Sequence, residues 1–233
     1  MKLSKARNLY LVCVLAVAVC VGGMSSCKND KKDSRGQIDK DAVAQIGFYE
    51  TYKYPDIAQD ISNLSETAGK PTLFQNSNNG NYDGPAVCTA QKSDTAAINA
   101  IIAKYGPGIL PSDLKLTWTL EPFDNLYELI ALKTDTLGKP AMTGESIIEA
   151  KVTDTNGYGF AISITLDKEG GKQFSTLTSN NIGHALAVVF KDKVMSYPIV
   201  NSQVEGGKVE ITGNFTEQVA NDFVDMFYGK NKK

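Results

Sequence analysis

The sequence predicts an α+β fold: a mainly antiparallel sheet with helices packed on one face. Two observations carry this. Apolar runs follow one another across turns short enough only for antiparallel neighbours. Residues 114–120 pass to 126–133 through a turn at 122–125, and residues 185–190 pass to 194–197 through 191–193. Helical stripes opened by capping residues, Asp167 and Thr216, stand beside these strand pairs, as a layered α+β domain requires.

The elements follow in order. Residues 46–52, with Phe48, Tyr49 and Tyr52, read as an aromatic-rich strand, which Pro55 closes. Residues 63–82 hold Gly69, Pro71 and a polar Asn-rich segment and read mostly as loop. Ser93 or Asp94 caps a helix whose face is Ala97, Ile98, Ile101 and Ile102, and Gly106-Pro107-Gly108 stops it. After the first strand pair comes a strand near 147–152, a turn at Asn156-Gly157, and a longer strand over 158–166. That strand keeps Phe160, Ile162, Ile164 and Leu166 on one face. Asp167 then caps a helix with Phe174, Leu177 and Ile182 as its buried stripe. Residues 185–190 are continuously apolar, the mark of a central strand. Pro198 ends the strand after the tight turn, residues 209–212 form the last strand, and Thr216 caps a helix that runs to Phe227.

The N-terminus reads as an address. Lys2, Lys5 and Arg7 precede an apolar run from Leu9 to Val21, and no acidic residue stands before Asp30. The run is short for a membrane span and has the flanks of a signal peptide. Met24-Ser25-Ser26-Cys27 resembles the bacterial lipobox, in which the cysteine is acylated and the chain cut before it. Residues 1–26 are thus expected to be a lipoprotein signal peptide and Cys27 the lipidated residue, holding the protein to a membrane. Residues 27–37, charged and poor in apolar groups, are expected to be a flexible tether that makes few contacts. Lys28, in place of an aspartate that marks inner-membrane retention, favours the outer membrane.

Removal of the signal takes three of 24 basic residues and no acidic one, leaving 21 against 26 and a net charge of −5. That balance excludes nucleic acid and an anionic membrane surface as the main partner. With Cys13 and Cys20 gone and Cys27 acylated, Cys88 is left alone, and an ordinary hydrophobic core must supply stability.

No catalytic constellation stands out, and no cofactor or metal site is expected. His184 is the only histidine, at the mouth of an apolar strand, and is expected to be structural. Asp154-Thr155-Asn156-Gly157 lacks the further ligands of a calcium loop and reads as a turn. Asp222 and Asp225, three apart on a helix, read as a solvated face, and Cys88 as an inert thiol. Phe48, Tyr52 and Tyr54 would share one face of an extended strand, with Tyr49 on the other. An exposed aromatic row could bind sugar rings or extended peptides, although core packing is the simpler account.

The order of motifs from Ile162 to Asp222 resembles the large periplasmic domain of the protein translocase subunit SecD. The resemblance is carried by Asp167, Glu169, Gly170, Phe174, Thr178, Asn181-Ile182-Gly183, Ser196, Pro198, Gly206-Gly207 and the run from Ile211 to Thr216. Upstream, Phe48-Tyr49-Glu50-Thr51-Tyr52 resembles a strand of fused SecD–SecF proteins. Ser93-Asp94-Thr95, Leu110-Pro111-Ser112-Asp113, Leu126-Tyr127-Glu128-Leu129 and Thr143-Gly144-Glu145 hold their expected places. The sequence also departs from that pattern. It has no second hydrophobic segment to carry protons, Lys193 replaces a hairpin glycine expected at positive φ, and His184 replaces a polar residue. The resemblance implies a head-like domain at 111–230 following a base-like part at 38–110. It implies a non-enzymatic binding module that engages unfolded or newly exported polypeptide, or the Sec translocon. The alternative is a glycan- or nutrient-binding surface lipoprotein.

Overall fold

The computed structural model describes residues 35–70, 73–74, 83–155 and 159–230. The expected signal segment, Cys27, most of the expected tether, the polar segment 75–82 and the expected turn at Asn156-Gly157 lie outside these residues.

The chain opens with α1 (Lys40–Val43), whose first amides bond the Asp39 carboxylate, and enters β1 (Ile46–Glu50). The aromatic strand thus stops two residues earlier than expected, and Tyr52 and Tyr54 are not on it. Pro55 opens a helix instead of closing a run: α2 (Tyr54–Thr67) carries proline in its first turn, where its missing N–H costs nothing. Ile57, Ile61 and Leu64 form the buried stripe of α2, so the segment expected to be loop from residue 63 begins only after Thr67.

β2 (Ala86–Ala90) is followed by α3 (Lys92–Tyr105). The cap of α3 is Gln91, which makes no side-chain cap bond, so Ser93 and Asp94 lie inside the first turn. β3 (Leu114–Trp118) and β4 (Tyr127–Lys133) form the expected hairpin, tightened by positive φ at Asp124 and Asn125. β5 (Met142–Thr143) leads through a single 3₁₀ turn to β6 (Ile147–Asp154) and β7 (Phe160–Leu166). The Asp167 carboxylate accepts from the Gly170 N–H at 2.8 Å and starts α4 (Lys168–Asn180). α4 ends before Ile182, which is 53% exposed and belongs to no buried stripe. β8 (Leu186–Phe190) and β9 (Lys193–Ser196) follow, then β10 (Lys208–Phe215), which runs further than expected, and α5 (Glu217–Phe227) capped by Thr216. The positive φ angles of the β8–β9 turn fall on Lys191 (46°) and Asp192 (61°). Lys193 is therefore the first residue of β9, paired with Phe190, and no glycine is needed there.

All strand pairs among the described residues are antiparallel, in three sheets: β5-β1-β8-β9, β10-β7-β6 and β2-β4-β3. Alternation along β1 and β8 splits their side chains between two cores. Ile46, Phe48, Leu186, Val188 and Phe190 join β7, β10, α4 and α5 in the main core. Tyr49, Ala187 and Val189 face the other way, onto Ala86, Ile130 and Leu132. Burial on both faces is why β8 is continuously apolar. A further core lies between α2, α3 and the β2-β4-β3 sheet and contains Trp118 and Cys88.

Two consequences bear on the expected boundaries. The division at 110/111 falls inside the β2-β4-β3 unit, and β1 lies in the sheet of β8 and β9. The N-terminal segment is anchored from Arg35 onward, because the Arg35 guanidinium pairs with Asp225 at 2.7 Å and also bonds Asn221. On these elements Ile162, Ile164, Val188, Phe215 and Phe223 are buried, whereas Phe160 and Leu177 are only partly so.

A close contact holds α4 in place. Gly171 faces Gly207, where an added Cβ would lie 3.1 Å from the Gly207 Cα, and a Cβ on Gly170 would stand 2.2 Å from that of Ser146. The two glycines lower helix propensity, yet they let α4 approach the strand connections without a side chain between.

Candidate interaction surface

β6 pairs with β7 on one side and with no strand on the other among the described residues. Ala150 stands directly opposite Ile164, yet its C=O accepts from the Tyr228 hydroxyl at 2.9 Å and its N–H donates to the same oxygen at 3.4 Å. The Ala150/Ile164 pair is therefore the non-hydrogen-bonded kind. Alternation then turns the Val152 N–H and C=O toward the open side as well, and those of Lys151 toward β7. Around this edge the exposed side chains are Ile148 (53% exposed), Glu149 and Lys151, with the Thr165 hydroxyl donating to Glu149 at 3.2 Å. An edge of this kind offers main-chain groups at strand spacing, bordered by one apolar side chain and charges of both signs.

The residues singled out from sequence are scattered. His184 is exposed and stands just before β8. Cys88 is 1% exposed, and burial pushes its thiol up to about 12. Asp225 is taken by Arg35, and Asp222 accepts from Gln218 at 2.8 Å, so the two carboxylates do not form a shared site. Phe48 and Tyr49 are buried, and Tyr52 leaves the strand to donate to Asp113 at 2.7 Å. Burial and the Asp113 carboxylate raise its phenol to about 12. The four aromatics are thus spread over the core, a loop and the first turn of α2, which weighs against a sugar-stacking platform. No cluster of metal-ligating side chains occurs among the described residues. A shallow groove of about 390 Å³ runs between α3, β3 and the β8–β9 turn, where Trp118 donates to Asn99 at 2.8 Å. Its walls are already bonded to one another, Lys115 and Thr117 both holding Asp192. No helix among the described residues is long and apolar enough to cross a membrane.

The β6 edge was missed in the sequence because its defining partner lies 78 residues away in the chain. The strand itself was expected; which side stays open is a product of sheet order.

Comparison with known proteins shows what the chain is similar to. Residues 126–227 match the model of the SecDF P1 head subdomain. The chain is 30% identical over 140 residues to the protein translocase subunit SecD of Rhodothermus marinus, covering 57% of this chain and 22% of that protein. It is 36% identical over 81 residues to SecD of Desulfurispirillum indicum, covering 34% of this chain and 16% of that protein. The chain thus spans about a fifth of the length of these relatives. A crystal structure of SecDF in its super-membrane-facing form aligns over 80% of this chain and 18% of its own, with a TM-score of 0.40 and 18% identity. The chain thus carries a domain similar to the periplasmic domain of SecD, and residues 126–227 of it match the SecDF P1 head subdomain.

Proposed function

We propose that this protein is a non-catalytic, lipid-anchored module of protein export that binds unfolded segments of exported polypeptide, held to the cell envelope through Cys27. The observation that carries the reading is the match of residues 126–227 to a head subdomain of SecDF. The open β6 edge supports it by offering a chemically suitable contact. An extended chain laid beside Val152 would gain main-chain hydrogen bonds whatever its sequence, each contributing about 0.5–1.5 kcal/mol net. A folded protein has already paired its backbone groups and gains little there. Discrimination between folded and unfolded partners therefore needs no energy source. Such segments emerge from the translocon in the inner membrane; with the outer membrane favoured by Lys28, the tethered module would meet them after they have entered the space between the two membranes.

The test is titration of one labelled secreted protein, in unfolded and folded forms, against the domain beginning after Cys27. The unfolded form is expected to bind with a dissociation constant on the order of micromolar or above, as small wet contacts do, and the folded form more weakly. Equal binding of both forms, or none of either, contradicts the reading.

A further inference from the structure

We propose that the Tyr228 hydroxyl is a gate on the β6 edge, occupying the place of an added strand at Ala150 until an extended polypeptide displaces it. The inference rests on the polypeptide-binding reading and names the regulation of that site. Tyr228 follows the last turn of α5, and its half-buried ring packs against the main core while its hydroxyl reaches the edge. One oxygen serves both outward groups of Ala150, donating to the C=O and accepting from the N–H. A neighbouring strand would make the same two bonds with two separate groups. Tyr228 therefore satisfies the edge in the empty state and protects it from indiscriminate pairing.

Only an extended backbone can replace this contact and continue to Val152, because the groups to be met alternate at two-residue spacing along β6. That geometry selects an unfolded segment as the occupant. A second copy of this chain pairing through its own β6 is the competing occupant, and the test separates it.

Two variants act on the site without touching the β6–β7 ladder. Tyr228→Phe keeps the ring in its packing and removes the oxygen. Val152→Pro removes an N–H that faces the open side, where an edge strand tolerates proline. Exchange of the Ala150 amide is expected to quicken in Tyr228→Phe. Binding of the unfolded secreted protein is expected to tighten about fivefold, the worth of one ordinary hydrogen bond no longer competing. Val152→Pro is expected to lose most of the binding, with circular dichroism unchanged. Unchanged affinity in Tyr228→Phe overturns the gate, and full binding by Val152→Pro overturns the edge as its location. Either result leaves the polypeptide-binding reading intact if the unvaried protein still binds. Failure of all three forms to bind overturns that reading and the gate with it. Dimerisation of Tyr228→Phe, seen by light scattering in the absence of polypeptide, gives the edge to a second copy and overturns the proposal.

Discussion

Phe174→Ala probes whether the N-terminal strand and the head form one cooperative structure. Phe174 is 1% exposed on α4, and its ring meets the Phe48 ring of β1 edge-on, with centroids 5.3 Å apart and planes at 71°. The two residues are far apart in sequence, so the contact exists only if β1 folds into the head. Truncating a buried phenylalanine loses its transfer free energy and leaves a cavity, together about 3–5 kcal/mol. The edge-to-face contact accounts for about 0.5–1.5 kcal/mol of that. At about 2–4 °C per kcal/mol for a domain of this size, the melting midpoint should drop by about 6–20 °C. A double-mutant cycle with Phe48→Leu should return a coupling of about 1 kcal/mol. Urea unfolding can be followed by far-UV circular dichroism and by the fluorescence of Trp118, the only tryptophan, 2% exposed in the core under α2 and α3. Because Tyr49, Ala187 and Val189 tie that part to the head through Ile130 and Leu132, both probes should shift together. A loss below 1 kcal/mol, or a tryptophan transition that stays in place while the dichroism moves, refutes this reasoning.

Further expectations follow from single contacts. Gly170→Ala, which raises helix propensity by about 1 kcal/mol, should nonetheless destabilise the protein by about 1–3 kcal/mol in urea unfolding, because the new methyl meets Ser146. Arg35→Ala should cost about 1 kcal/mol and make the chain near residue 35 readily cut in limited proteolysis, since its half-buried pair with Asp225 pins that segment. Cys88 and Tyr52 both have folded values raised to about 12, from 9.0 and 10.0. Below pH 9 both are protonated folded or unfolded; above it the unfolded chain releases protons first. Stability should therefore fall as pH rises from 9 toward 12, and at pH 8 Cys88 should react with a thiol reagent only on unfolding; a flat alkaline profile counts against this. Cys27→Ser should abolish incorporation of radiolabelled fatty acid in the native host, and retained label would remove the lipobox reading.

The legible parts of the fold were those whose cause is local. Asp167 and Thr216 announced α4 and α5 because a cap is a single residue beside its helix, and the run at 185–190 announced a strand buried on both faces. α2 was misread because Pro55 both ends strands and opens helices, and the spacing of Ile57, Ile61 and Leu64 had to decide between them. Lys193 was assigned the positive φ that belongs to Lys191 and Asp192, since turn position depends on a register that only pairing fixes. Arg35 with Asp225, Tyr52 with Asp113, and Tyr228 with Ala150 join distant parts of the chain, and no local pattern marks them.

The central claim concerns what meets the β6 edge in the cell. A photoreactive amino acid placed at Lys151, exposed beside that edge, can be compared with one at Leu137, which is 75% exposed on a turn elsewhere. With a pulse-labelled secreted protein in transit, the account predicts crosslinks from position 151 that fade as the protein folds, and few from 137. Equal capture at both positions, or none at 151 while the labelled protein is being exported, contradicts it.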